Sequence, residues 1–188
     1  GRTVFPAMET NWETHPNLSP QTNNDLKVVQ AIIAEAVRAY NADPKRVYVT
    51  GFSTGGFFAH FAAFALPNQV AAFASNAGGL VRCATTSGCV FTGSGSTCAT
   101  LAQSSGWCSC SGTDKPSPVP SSGRKVPGYI GTADNDGVVS PYYSCALASR
   151  MMALGYTTSL NIRSGGGHSW PPHFLPNAWS FLSSHVLP

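Results

Sequence analysis

Between Arg46 and Ala65 a short apolar segment, Val47-Tyr48-Val49-Thr50, runs into Gly51-Phe52-Ser53-Thr54-Gly55-Gly56 and then into an apolar, helix-forming stretch. A strand that enters a helix through a glycine-flanked serine leaves few arrangements open. The turn has to be sharp, and such a turn belongs at the carboxyl end of a strand in an α/β sheet. Gly51 and Gly55 are expected to keep side chains clear of the adjoining strand and helix. The turn lifts the Ser53 hydroxyl above the sheet, which makes Ser53 the candidate nucleophile. The bland reading is an ordinary strand-to-helix turn, since G-x-S-x-G also recurs by chance.

A serine hydroxyl is a weak nucleophile at neutral pH, so it needs a histidine base, and that base needs a carboxylate to fix its tautomer. Around an elbow of this kind the partners follow in chain order, acid and then histidine. The last glutamate is Glu35, so the acids downstream are Asp114, Asp134 and Asp136, and the histidines beyond them are His168, His173 and His185. Asp134 is expected at the carboxyl end of a strand formed by Val126 to Ile130, and is the favoured acid. Asp136 serves if the turn is longer, and Asp114 has no strand before it; an Asx turn completed by Asn135 and Gly137 is the structural alternative. His168 follows a strand and Gly165-Gly166-Gly167, on a loop that can reach the serine. His173 starts the last helix, His185 reads as a surface residue, and His60, on the helix after the elbow, reads as packed or surface.

Apolar periodicity predicts helices at about 25–40, 54–65, 141–154 and 176–186, and strands at 47–50, 71–75, 126–130 and 158–162. A first strand is expected near Thr3-Val4-Phe5-Pro6, followed by a polar loop from Asn11 to Gln21. Asn24 is the expected cap of the first helix, and Val29, Ile33, Val37 and Tyr40, with Val28, Ile32 and Ala36 beside them, its packing face. Alternating strands and helices argue for a parallel α/β sheet in one domain, 1–188. The aromatic run Phe57, Phe58, Phe61 and Phe64 reads as burial against that sheet.

Four separated segments are similar to the esterase and polyhydroxybutyrate depolymerase family, which also holds feruloyl and acetylxylan esterases of carbohydrate esterase family 1. They are Asn41 to Ser53, Ala71-Ala72-Phe73-Ala74-Ser75-Asn76-Ala77-Gly78-Gly79, Gly131-Thr132-Ala133-Asp134 and Gly166-Gly167-His168-Ser169-Trp170-Pro171. The resemblance implies an α/β-hydrolase fold with Ser53, Asp134 and His168 as nucleophile, acid and base. It also implies an oxyanion hole from the Thr54 amide and a second amide in a His-Gly-rich segment. That segment has no counterpart here, so the chain is expected to be the carboxyl-terminal part of such a domain, lacking its first strands, with a missing segment or second chain completing it.

The chain has 188 residues, 43% of them hydrophobic, enough to bury a sizeable core. A net charge of +3 from 11 basic and 8 acidic residues, without a basic cluster, argues against nucleic acid. No apolar run reaches the length of a membrane span. Low charge and six cysteines suggest a secreted protein, with disulfides favoured over metal because no C-x-x-C pair occurs. Cys83, Cys89, Cys98, Cys108 and Cys110 crowd residues 81–125, which read as a disulfide-tied insertion or cap before the strand bearing the acid; Cys145 lies on a later helix, and the pairing stays open. Trp107 in that insertion and Trp170 beside His168 are candidates for a substrate pocket, or are simply packing.

These features together predict a secreted serine esterase that needs no metal or organic cofactor. Its expected substrate is a polymer-linked ester, feruloyl or acetyl on plant polysaccharide. The rival readings are a polyhydroxyalkanoate depolymerase, a non-catalytic binding module on the same scaffold, and an acyltransferase that excludes water from the acyl-enzyme.

Overall fold

The computed structural model describes residues 12, 21–80, 89–91, 108–110 and 119–188. Within them the order is α1 (Asn24–Tyr40), β1 (Tyr48–Phe52), α2 (Thr54–Ala65), β2 (Ala72–Asn76), β3 (Cys89–Phe91), β4 (Cys108–Cys110), β5 (Gly128–Ala133), α3 (Pro141–Ala153), β6 (Thr158–Arg163) and α4 (Phe174–Ser183). The expected strand at Thr3–Pro6, Asp114, Trp107, Cys83 and Cys98 fall outside the described residues.

Strands β1, β2, β5 and β6 form one sheet in that order, every neighbouring pair parallel. The register sets Phe52 beside Asn76, Asn76 beside Gly131 and Ala133 beside Arg163, so the carboxyl ends of all four strands lie together where the site forms. Parallel strands need crossovers; the crossover helices α2 and α3 lie with α1 on one face, and α4, after the last strand, covers the other. The central strands β2 and β5 are buried along their whole length.

Period-two alternation divides the strand side chains between two cores. Phe73 and Ile130 point to one face, where they meet Leu26 of α1, Phe58 and Phe61 of α2, and Leu147 and Met151 of α3. Ala72, Ala74 and Tyr129 point to the other, where Phe174, Ala178 and Leu182 of α4 cover them. Most of the aromatic run of α2 packs as its pattern implied: Phe58 and Phe61 are buried and Phe64 packs edge-on against Phe73 and Tyr156, whereas Phe57 is half-buried against Tyr143 and belongs to neither core.

Helix α1 departs from expectation in two details. Its cap is Asn23, whose side chain accepts the Leu26 amide, rather than Asn24. Of its expected packing face, Val29, Ile33, Ala36 and Val37 are half-buried beside the buried Leu26, while Val28, Ile32 and Tyr40 are exposed. Seven apolar positions are more than one helix face can bury against a single sheet.

Below the sheet, Arg124 donates to the carbonyls of Pro67, Val70 and Ala71 and ties the exit of α2 to the start of β2. The short strands β3 and β4 pair antiparallel, with Cys89 opposite Cys110 in register. Cys145, buried on α3, is disulfide-bonded.

Candidate active site

Ser53 joins β1 to α2 in a backbone conformation that side-chain-bearing residues rarely adopt, φ 54° and ψ −122°. Such strain persists only where the surroundings enforce it. Here the Ser53 amide donates to the Asn76 carbonyl at 3.0 Å, and its carbonyl accepts the Phe57 amide at 3.1 Å. The close approach is made by Gly51: a Cβ there would lie 2.0 Å from the Gly55 carbonyl oxygen. Gly55 does not share that role, contrary to the sequence expectation, because a Cβ on it meets nothing nearer than Trp12 Nε1 at 3.9 Å. The second tight contact comes from Gly78, whose added Cβ would sit 2.5 Å from the Gly56 carbonyl carbon.

Two side chains that meet Ser53 or its partner come from the loops after β6 and β5. His168 Nε2 lies 3.0 Å from Ser53 Oγ, and His168 Nδ1 lies 2.8 Å from Asp136 Oδ2. A carboxylate can only accept, so Nδ1 carries the proton and donates to Asp136; this leaves Nε2 as the acceptor facing the serine hydroxyl. Asp136 is buried, and its other oxygen accepts the amides of Val138 and Val139, both at 2.9 Å. Three donors thus fix one buried carboxylate.

Asp134, the favoured acid on strand context, is not the carboxylate that meets His168. Strand β5 runs to Ala133, so Asp134 is the first residue beyond it, exposed, with Oδ1 accepting the Gly165 amide at 2.8 Å. That bond is the main cause holding its carboxyl below the usual range, against a smaller opposing effect of desolvation. The chain turns back two residues later, where the Asp136 amide donates to the Ala133 carbonyl and the side chain folds inward. A sequence signal for Asp136 existed. A carboxylate two and three residues before free amides is the Asx-turn pattern, and Gly137-Val138-Val139 supplies those amides.

Thr54 is the first residue of α2, so its amide has no carbonyl a turn earlier in the helix and lies at the positive end of the helix dipole, beside Ser53. Phe52 packs on the His168 ring at 4.7 Å, and Trp170 meets Phe52 and Phe174 edge-on at 5.8 and 5.0 Å. Trp170 thereby braces the base loop against the α4 core. Trp12 was not singled out by its sequence, standing alone in a polar stretch. Its indole stacks on Phe58 at 4.6 Å and is 41% exposed next to Gly55.

The other described histidines lie apart from these contacts. His173 is the residue at the start of α4 but its side chain makes no capping hydrogen bond, and His185 meets Phe181 edge-on. His60 is buried on α2 between Phe64 and Phe73; its Nδ1–H donates to the Gly56 carbonyl, and burial pushes its pKa down to about 4. Among the described residues no cluster of three or more His, Cys, Asp or Glu is placed to hold a metal ion, and no helix is long and apolar enough to cross a membrane.

Comparison with known proteins gives a fold and a partial sequence relative. No family model matches the chain. It is 43% identical over 75 residues to the bifunctional acetylxylan esterase/xylanase XynS20E of Neocallimastix patriciarum, covering 40% of this chain and 11% of that protein. An acetyl xylan esterase from Aspergillus awamori superposes with a TM-score of 0.57 at 16% identity, over 95% of this chain and 74% of its own. MGS-M1, an alpha/beta hydrolase enzyme from a Medee basin deep-sea metagenome library, gives 0.58 at 11% identity, over 90% and 66%. The fold is that of the α/β-hydrolases, and the chain spans a small part of its curated relative and about two thirds of MGS-M1.

Proposed function

We propose that this chain hydrolyses carboxylic esters with Ser53 as nucleophile, His168 as base and Asp136 as the acid that orients it. The observation that carries the proposal is the unbroken run of hydrogen bonds from Ser53 Oγ through His168 to the buried Asp136. His168 Nε2 takes the hydroxyl proton as Ser53 Oγ attacks the ester carbonyl, and the carbonyl electron pair moves to oxygen. The Thr54 amide, at the positive end of α2, stabilises that oxyanion. Collapse breaks the bond to the leaving alcohol, which departs with the proton held by His168. Water, deprotonated by the same histidine, then attacks the acyl-serine and releases the acid.

The substrate class we favour is an ester attached to a polymer, acetyl or feruloyl on plant polysaccharide. Its support is the partial sequence relative named as an acetylxylan esterase/xylanase. Secretion is part of the same reading; its support is the low charge content, the six cysteines and a disulfide at Cys145. The test is intact mass after incubation with a fluorophosphonate probe, followed by rates on acetyl, feruloyl and hydroxybutyrate esters. One adduct that Ser53→Ala abolishes is the expected result, with turnover of at least the acetyl ester lost in the same variant. An adduct that survives Ser53→Ala would remove Ser53 from the mechanism.

A further inference from the structure

The base stands on an unusually weak support, and that weakness points to residues with a task beyond the three already described. Gly165, Gly166 and Gly167 immediately precede His168 and all have left-handed backbones, φ 72°, 86° and 56°. Glycine loses more conformational freedom on ordering than any other residue, so three in a row make a loop that its own main chain will not hold in one shape. The observed restraints come from side chains. Asp134 Oδ1 accepts the Gly165 amide at 2.8 Å, and Asn135 Oδ1 accepts the Gly167 amide at 2.9 Å. Arg163, on the far side, donates to the Gly167 carbonyl at 3.2 Å and to Ser169 Oγ at 3.0 Å.

Asp134 and Asn135 are adjacent, exposed, and lie on the loop that also carries Asp136. They contribute nothing to either core, so burial does not explain them. Both present an sp² oxygen to an amide N–H, an interaction that asks for an acceptor and not for a charge. The two bonds tie the acid loop to the base loop at the first and third glycine, directly ahead of the histidine.

We propose that Asp134 and Asn135 are positioning residues: their side-chain oxygens fasten the glycine loop to the acid loop, so that one unit presents both Asp136 and His168 to Ser53. This rests on the triad reading above. Losing a clamp leaves all reacting groups in place but lets the imidazole wander, and misplacement of about 1 Å can cost on the order of 10²-fold in rate.

The experiment measures p-nitrophenyl acetate kinetics and the second-order rate of Ser53 labelling by a fluorophosphonate. The variants are Asp134→Ala, Asp134→Asn, Asn135→Ala and Asn135→Asp, with Ser53→Ala and Asp136→Asn as controls. Either alanine is expected to lower kcat and the labelling rate about 5- to 30-fold and both together about 10²-fold, with KM little changed. The Asp134→Asn and Asn135→Asp proteins, which keep the acceptor oxygen, should stay within about 3-fold of the unsubstituted protein. Asp136→Asn should lose about 10³- to 10⁴-fold. Amide exchange at Gly165 and Gly167 should quicken in the alanine variants and not in the isosteric ones, a readout that global destabilisation would not confine to this loop.

Two outcomes overturn positioning alone: alanine variants at full rate while Ser53→Ala is dead, or Asp134→Asn as damaged as Asp134→Ala. The second would mean that the charge of Asp134 is what counts. Full labelling in Ser53→Ala, or full turnover in Asp136→Asn, would instead sink the triad reading on which the proposal rests.

Discussion

The serine turn and the histidine loop both depend on glycine and both contain left-handed backbone, yet they use the residue for opposite reasons. At the serine turn the left-handed residue is Ser53 itself, and glycine supplies room: a Cβ on Gly51 would sit 2.0 Å from the Gly55 carbonyl oxygen. In the histidine loop glycine supplies torsion, with room needed only at Gly166, where a Cβ would meet the movable Arg163 guanidinium. A Cβ on Gly165 or Gly167 would meet nothing within 4 Å, but φ is 72° and 56°. One region is fixed by backbone packed on backbone, the other by side-chain acceptors reaching from a neighbouring loop. Ser53 is therefore held by contacts that cannot relax locally, and His168 by bonds that single side-chain changes can release.

The comparison is most easily broken at Gly51. Its neighbours there are main-chain atoms at the start of α2, which cannot swing aside as a side chain would. Gly51→Ala should cost about 3 kcal/mol or more in urea unfolding, or prevent folding. A variant that unfolds within about 1 kcal/mol of the unsubstituted protein would show that the turn has slack the structure denies it.

At Gly165 the expected cost is smaller and different in kind. Alanine finds open space but must hold a left-handed backbone, which costs about 1–2 kcal/mol, partly offset by the lower entropy of the unfolded chain. Gly165→Ala should therefore lose about 1 kcal/mol while keeping the amide that Asp134 accepts. If its loss matched that of Gly51→Ala, space and not torsion would be limiting in both regions.

The same division explains what could be read from the chain. The order of strands and helices, Ser53 as the elbow residue and His168 as its partner were legible because each is written in local pattern: alternation, a glycine-flanked serine, a glycine run before a histidine. The acid was not. Strand context points to the first aspartate after β5, and the Asx-turn pattern that marks Asp136 does not by itself say that the turn folds back onto the Ala133 carbonyl and aims that carboxylate at His168. The acceptors that select Asp136 for His168, and give Asp134 and Asn135 to the glycine amides, lie about 30 residues from their donors. The face of helix α1 was legible only in part, for a related reason. Its sequence carries more apolar positions than one face can bury, and only the packing shows that Val29, Ile33, Ala36 and Val37 turn inward while Val28, Ile32 and Tyr40 stay exposed.

Gly55 gives the finest distinction, because the motif treats it as the equal of Gly51 and the structure does not. It sits in the first turn of α2, and a Cβ there meets only the Trp12 indole nitrogen at 3.9 Å, an ordinary contact. Alanine is also the better helix former by up to about 1 kcal/mol. Gly55→Ala should therefore fold with a stability within about 1 kcal/mol of the unsubstituted protein, on either side of it. Measured beside Gly51→Ala in the same urea series, it separates two readings of the G-x-S-x-G pattern. Equal losses would mean that the pattern encodes two steric needs. A large loss at Gly51 with none at Gly55 would mean that the fold imposes only the first, leaving the second glycine to matter, if anywhere, for what approaches Ser53 past Trp12.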